Sequence, residues 1–75
     1  MTRLPRVTGK DVVRALERAG FAQVRVHGSH FYLYHREKDT LVTVPVHAGR
    51  TLAPKTLQSI LKQARLTTAE LTGLL

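Results

Sequence analysis

The chain has 75 residues and no cysteine, which excludes disulfide bonds, thiolate metal sites and a cysteine nucleophile. Twelve lysines and arginines against five acidic residues give a formal net charge of +7, which favours a nucleic acid or an acidic protein as partner. The sequence has neither an apolar run long enough to cross a membrane nor a signal-peptide pattern, so we expect one cytoplasmic domain over residues 1–75.

The first predicted element is a helix over residues 9–19. Thr8 suits its N-cap, and Asp11 stands three residues later, which is the spacing of a capping box. Apolar residues then recur at helical spacing, and Gly20 occupies the position of a helix C-terminal glycine. Residues 1–7 are predicted to form an irregular arm, because Pro5 disfavours a helix.

Three runs of alternating apolar and polar residues predict an antiparallel sheet with the strand order 1-2-3. The runs cover residues 21–27, 30–36 and 41–47. Gly28-Ser29 predicts a two-residue turn in which glycine adopts a positive φ, and residues 37–40 predict the second hairpin loop. Pro45 has no N–H to donate, so the third strand should lie at an edge.

Two further helices are predicted after the sheet. Pro54 suits the first turn of one, and Thr67 with Glu70 repeats the capping-box spacing before a short C-terminal helix. The apolar stripe of the longer helix consists of Leu57, Ile60, Leu61 and Ala64. The element order predicts an α+β fold, α-β-β-β-α, in which both main helices cover one face of the sheet.

The two predicted turns determine the strand registers. The resulting pairs are His27–His30, Val26–Phe31, Arg25–Tyr32, Val24–Leu33 and Gln23–Tyr34 across the first turn, and His30–His47, Tyr32–Pro45 and Tyr34–Thr43 across the second. Both turns agree on one apolar face for the helices, comprising Val24, Val26, Phe31, Leu33, Val42, Val44 and Val46. The outer face should carry Arg25, His27, His30, Tyr32, Tyr34, Arg36, Thr43 and His47. Three histidines would then meet at one corner.

This outer face has the residue types that RNA cleavage by transesterification needs. Histidine takes or gives a proton near physiological pH, so His30 is the candidate general acid or base. Cations can stabilise the phosphorane charge, and tyrosine rings can stack on unpaired bases. The candidate RNA-binding residues are Arg25, His27, Ser29, Tyr32, Tyr34, Arg36, His47 and Lys55.

The same residues have less specific interpretations. Histidines on exposed strands are most often solvated, which is the interpretation we favour for His35, and tyrosines are common on half-exposed strands. Three converging histidines can bind zinc, although no carboxylate is predicted beside them. From the residues alone, catalysis and simple RNA binding are about equally supported. A third hypothesis is that the basic surface chiefly binds an acidic protein.

Four elements, in order, resemble the HicA family of toxins. They are Gly28-Ser29-His30 after an arginine-containing strand, Val44-Pro45-Val46-His47, Thr56-Leu57, and Ile60-Leu61-Lys62-Gln63-Ala64. The resemblance covers nearly the whole chain, from the helix that ends at Gly20-Phe21 to Leu66. It departs from the family at Lys55 and Arg65, where the family often has glycine.

The resemblance implies a fold like that of double-stranded-RNA-binding domains. It also implies a metal-independent endoribonuclease toxin, an mRNA interferase that needs no cofactor, arrests translation and is neutralised by a HicB-type antitoxin. The catalytic residue of the family is the histidine of Gly-Ser-His, which corresponds to His30.

Overall fold

The computed structural model describes residues 3–75, so that Met1 and Thr2 of the predicted N-terminal arm lie outside the described residues. Its elements are α1 (Gly9–Arg18), β1 (Ala22–His27), β2 (His30–His35), β3 (Thr40–Pro45), α2 (Pro54–Ala64) and α3 (Thr68–Leu74). The strands form one antiparallel sheet in the order β1-β2-β3. The predicted α+β class and α-β-β-β-α order are confirmed. Within residues 3–75, no helix has the length and apolar character that a membrane span requires.

Both predicted capping boxes are present. Thr8 Oγ1 accepts a hydrogen bond from Asp11 N at 3.1 Å, and Asp11 Oδ2 accepts one from Thr8 N at 3.0 Å. Thr67 and Glu70 make the same exchange at the start of α3. The backbone N–H groups of the two threonines lower the pKa of both carboxyl groups, because they bond the ionised form. These acids therefore stabilise the helix starts as carboxylates.

The core lies between the helices and the two later strands. Leu33, Val42 and Val44 are fully buried on the inner face of the sheet, which is the face that the helices cover. They belong to one cluster with the buried helix residues Val12, Val13, Ala15, Leu16, Leu57, Ile60, Leu61, Ala64 and Leu71. Both main helices thus pack on one face, as predicted.

β1 is exposed along its whole length, which the sequence did not predict. Val24 and Val26 are 57% and 52% exposed, so their assignment to the core is wrong. The reason is the position of the helix layer: α2 packs chiefly against β3, and the helices leave β1 at the open side of the sheet. The alternation of apolar and polar residues predicted the inner face of the sheet. It contains no information about which strands of that face the helices cover.

The first hairpin follows the prediction only near its turn. Gly28 has φ 61°, and His27–His30, Val26–Phe31 and Arg25–Tyr32 are paired as expected. A β-bulge at Val24 then places Gln23 opposite Leu33, where Val24 was predicted. Gln23 consequently lies on the inner face, where its Nε2 donates to Glu17 Oε2 at 3.4 Å. One extra residue in β1 therefore changes the face of every residue before it.

The predicted register of the second hairpin is wrong by two residues. His30 pairs with Pro45 and Tyr34 pairs with Leu41, because the loop consists of residues 36–39. Asp39 closes this loop with φ 48°, a left-handed conformation that aspartate tolerates better than most residues. A shift of two residues leaves every side chain on its predicted face. The agreement between the two predicted turns therefore could not reveal the error.

His35 is a structural residue, and its interpretation as a solvated histidine is wrong. The side chain is half-buried, and its Nδ1 accepts a hydrogen bond from Lys38 N at 3.1 Å. Its ring meets Phe21 edge-on, with the centroids 5.0 Å apart. Gly20, at φ 103°, packs so closely that a Cβ atom there would lie 2.9 Å from His35 Nε2.

Gly9 holds the start of α1 against the end of β3. A Cβ atom at this position would lie 2.2 Å from the carbonyl oxygen of Pro45, which is far inside van der Waals contact. The preceding residues also hold the loop after β3, because Leu52 N donates to Val7 O at 2.8 Å and Thr8 forms a β-bridge with Thr51. The backbone before α1 thus positions the segment that follows β3.

Candidate functional site

The outer face of the sheet is the face away from the helices. By register it carries Ala22 and eight further residues, Arg25, His27, His30, Tyr32, Tyr34, Leu41, Thr43 and Pro45. The β1 side chains and His30 are exposed, whereas the two tyrosines are half-buried. None of these eight side chains is acidic, so the face presents aromatic rings beside positive or protonatable groups.

Arg25 and Tyr32 form the centre of the outer face. They are opposite each other in the ladder, and the Arg25 guanidinium carbon lies 6.0 Å from the centroid of the Tyr32 ring. This is the outer limit of a cation–π contact, and it keeps a positive charge beside an aromatic surface. Together the two side chains can attract a phosphate and stack on an unpaired base.

Tyr34 joins the outer face to the second hairpin loop. Its hydroxyl donates to Asp39 Oδ1 at 2.5 Å, and this hydrogen bond raises the pKa of Tyr34. The bond fixes the ring at the end of the face remote from His30. Arg36, predicted on the outer face, lies in the loop just beyond Tyr34, where it is exposed.

His30 begins β2 at the opposite end of the face. His27 lies beside it on β1 and Pro45 lies beside it on β3. Ser29 O accepts a hydrogen bond from Val46 N at 2.7 Å, which continues the β2–β3 ladder past His30. The carbonyl group of Ser29, a candidate phosphate ligand, thus takes part in the hydrogen bonding between β2 and β3. The exposed imidazole of His30 stands on backbone that is fixed on both sides.

His47 is not opposite His30, so the predicted three-histidine corner is wrong. The histidine follows β3, where it is exposed and lines a depression with Arg50 and Thr56. Pro45 lines the same depression and is also paired with His30 in the sheet, so the depression lies next to the His27–His30 pair. Within residues 3–75, no group of three His, Cys, Asp or Glu side chains is arranged to hold a metal ion.

The start of α2 borders this depression and adds positive potential to it. Ala53 is the N-cap and offers no side-chain acceptor to the first helical N–H groups. These groups and the helix dipole favour a negative charge at this end. Lys55 lies in the first turn of α2 and is exposed, so it does not belong to the outer face of the sheet.

Sequence reasoning missed the contributions of Arg50 and Thr56 to this region. Arg50 lies in the connection that leads from β3 into α2, and Thr56 lies in the first turn of α2. A basic residue next to Gly49, shortly before a helix that begins with proline, was the available signal. The position of Gly9 against Pro45 could not be found in the same way, because it depends on how α1 crosses the sheet.

Two histidines side by side can perform proton transfers in both directions. Directly opposed residues of an antiparallel pair have Cβ atoms about 5 Å apart, so His27 and His30 can reach one phosphodiester group. The Arg25–Tyr32 pair lies next to them along the same two strands. The arrangement combines acid–base groups, a cation and an aromatic surface on one exposed face.

Comparison with known proteins agrees with this architecture. A family model described as HicA toxin of bacterial toxin–antitoxin matches residues 9–66, which are 58 of the 75 residues. The matched part includes α1, all three strands and α2, and therefore His30 and its neighbours. A search of curated proteins found no match. The chain belongs to the HicA family of toxins from bacterial toxin–antitoxin systems.

Proposed function

We propose that this toxin is an endoribonuclease that cleaves mRNA in the cytoplasm, with His30 as a general acid or base. In this proposal it acts without a metal or other cofactor, and a HicB-type antitoxin neutralises it. The observation that carries the proposal is the exposed position of His30, with His27 beside it, at the end of an outer face without acidic side chains. Membership of a toxin family supports the biological role.

The reaction proposed is transesterification within the RNA strand. A base removes the proton of a 2′-OH group, and the 2′ oxygen attacks the adjacent phosphorus. The bond to the 5′ oxygen breaks as an acid protonates it, which leaves a 2′,3′-cyclic phosphate and a 5′-OH end. His30 performs one of these proton transfers, and its neighbour His27 is placed for the other.

Substrate binding is assigned to the groups around these histidines. Tyr32 stacks on an unpaired base while Arg25 attracts a phosphate, which favours single-stranded RNA. A phosphate on the other side of His30 would meet the depression lined by His47 and Arg50. The remaining candidate contacts are Lys55 in the first turn of α2, Ser29 in the β1–β2 turn, and Tyr34 and Arg36 at the end of the outer face remote from His30.

The decisive comparison is between the wild-type protein and His30→Ala on single-stranded RNA with a metal chelator present. We expect His30→Ala to lose at least about 10²-fold in cleavage rate, the usual contribution of a general acid or base, while it still binds RNA. The matched control is His47→Ala, which makes the same substitution at the displaced histidine. This control should bind RNA more weakly but cleave it at saturating concentration. Equal cleavage by His30→Ala and wild type would remove His30 from the mechanism.

The second candidate function is a non-catalytic RNA-binding module. The Arg25–Tyr32 contact favours it, because a cation beside an aromatic ring can bind RNA without any reaction at His30. In that case the wild-type protein binds RNA without cleaving it, and His30→Ala has the same biological effect. The affinity should then fall with salt, with a log–log slope of about −0.7 for each phosphate contacted on a single strand.

A further inference from the structure

The two edges of the sheet differ in how their backbone groups are covered. At the β3 edge, Thr43 N donates to Gln63 Oε1 of α2 at 3.4 Å, and Pro45 has no N–H. At the β1 edge, all six residues of the strand are exposed. An uncovered edge strand is a template for pairing with another chain.

The ladder shows which backbone groups of β1 are available. Val46 N donates to Ser29 O, so Ser29 directs its backbone groups to the β3 side. Because this direction alternates along a strand, Phe31 also directs its N–H and C=O to β3. His30 and Tyr32 then direct theirs to β1. Val26 lies opposite Phe31, so its own N–H and C=O point away from the sheet.

A groove with an apolar floor lies next to this edge, between α1 and the sheet. Its apolar lining consists of Val13, Phe31 and Val46, and its polar lining consists of Lys10, Arg14, Glu17 and Gln23. Val26 is the lateral neighbour of Phe31 on the same face, yet it is 52% exposed. The apolar surface of the groove therefore continues onto β1.

We propose that the edge of β1 and this groove bind an extended segment of an acidic partner protein, added to the sheet as a fourth strand. Main-chain hydrogen bonds to Val26 would supply affinity, and alternate apolar side chains of the segment would cover Val26 and enter the groove. The inference rests on the proposed function only in identifying the partner as the antitoxin. β1 ends at His27, which is paired with His30, so a segment bound along β1 would lie beside this pair of histidines.

Charge decides between a partner protein and a second copy of this chain. Two bases, Lys10 and Arg14, and one acid, Glu17, line the groove beside β1, and Arg25 and His27 lie on the other side of the strand. Two copies, each with a formal net charge of +7, would bring these like charges together across a shared edge. An acidic strand whose apolar side chains enter the groove would instead place its acidic side chains beside Arg25 and His27.

The test is a titration of the full-length protein, followed by amide-resolved NMR, with two synthetic strand peptides of equal length. In one peptide valine alternates with glutamate, and in the other valine alternates with lysine. We expect the Val–Glu peptide to shift the amide signals of β1 and to protect the Val26 amide from hydrogen exchange. The Val–Lys peptide should produce neither effect.

Two substitutions at one site and a control at the other edge make the result specific. Val26→Pro removes an N–H that points to solvent, so it should block the added strand while the sheet keeps its own bonds. Val26→Glu places a charge where the valine side chains of the peptide would pack, so it should also abolish binding. Leu41→Glu makes a comparable change at an equally exposed residue of β3, at 54%, and should retain binding.

Several results would overturn the inference: equal binding of both peptides, no binding of either, or amide shifts confined to the outer face. A concentration-dependent dimer that Val26→Glu disrupts would also overturn it, by showing that a second copy occupies the edge. Cleavage of RNA by the same samples separates the two proposals. Peptide binding without any cleavage would refute the proposed function alone, whereas cleavage without peptide binding would refute this inference alone.

Discussion

His30 and His35 stand at the two ends of β2 and have opposite surroundings. His35 lies on the inner face, where its Nδ1 accepts the Lys38 N–H and its ring packs against Phe21. His30 lies on the outer face and is exposed beside His27. The same residue type therefore stabilises the structure at one end of the strand and is available for chemistry at the other.

A single methyl group at Gly9 should disturb the segment that borders the site. Gly9→Ala places a Cβ atom 2.2 Å from Pro45 O, a backbone atom that moves only with β3. We expect the free energy of unfolding to fall by about 2 kcal/mol, the usual range for overpacking. Urea denaturation of the two proteins measures this difference.

Gly73→Ala is the matched control for that substitution. Gly73 lies in α3, and a Cβ atom there would meet nothing within 4 Å. Alanine is the better helix former, so this variant should gain about 0.5–1 kcal/mol. If Gly9→Ala is as stable as the wild-type protein, the close contact between α1 and β3 is not present in solution.

The second hairpin loop and the end of α2 hold each other in place. Arg65 caps α2 with a left-handed backbone at φ 56°, and its guanidinium donates to Lys38 O and, at 2.7 Å, to Thr40 Oγ1. In return, Lys38 Nζ donates to Ala64 O at 3.1 Å. The side-chain bonds of Arg65 offset the conformational cost of a position that glycine would adopt more easily.

Substitutions at Arg65 should separate these two contributions. Arg65→Gly loses the side-chain bonds but relieves the left-handed backbone, whereas Arg65→Ala loses the bonds and keeps the unfavourable φ. We therefore expect Arg65→Ala to be the least stable of the three proteins, by about 1 kcal/mol relative to Arg65→Gly. Urea denaturation provides the comparison. Equal stability of the glycine and alanine variants would show that the backbone is not left-handed in solution.

The two capping boxes should make stability depend on acid pH. Asp11 and Glu70 have lowered pKa values in the folded chain, so their stabilising effect is complete above their ordinary values of 3.8 and 4.5. It is lost as the pH falls through the lowered values. We expect the double variant Asp11→Asn, Glu70→Gln to be less stable at neutral pH and to lose less stability in acid. Unfolding measured from pH 7 to pH 2 tests this, with Glu37→Gln as the control for removing an acid outside a cap.

At the scale of the whole molecule, the helix layer divides the surface into regions with different uses. The helices cover β2 and β3, so the outer face and the edge of β1 both remain uncovered. In our two proposals RNA binds the outer face and an acidic protein binds the edge, and the excess of positive charge would attract both. One small domain can in this way carry a reactive surface and a separate docking edge.

Local chemistry made part of this structure predictable. The capping boxes at Thr8 and Thr67, the Gly28 turn and the edge position of Pro45 each depend on residues close in sequence. The positions of His47 and Val26 depend on longer-range features. A loop that lies one residue earlier than predicted shifted the register by two residues and moved His47 away from His30, and the placement of the helix layer exposed Val26. Alternation alone contains neither piece of information.

If His30 transfers a proton during cleavage of RNA at a 2′-OH, both the imidazole and the hydroxyl group are required. Single-turnover cleavage of one RNA oligonucleotide and its 2′-deoxy counterpart, with wild-type and His30→Ala protein, measures both requirements. We expect only the wild-type protein with the unmodified RNA to give substantial cleavage, and the product to carry a 2′,3′-cyclic phosphate. Cleavage of the unmodified RNA by His30→Ala at the wild-type rate would show that His30 takes no part in the reaction.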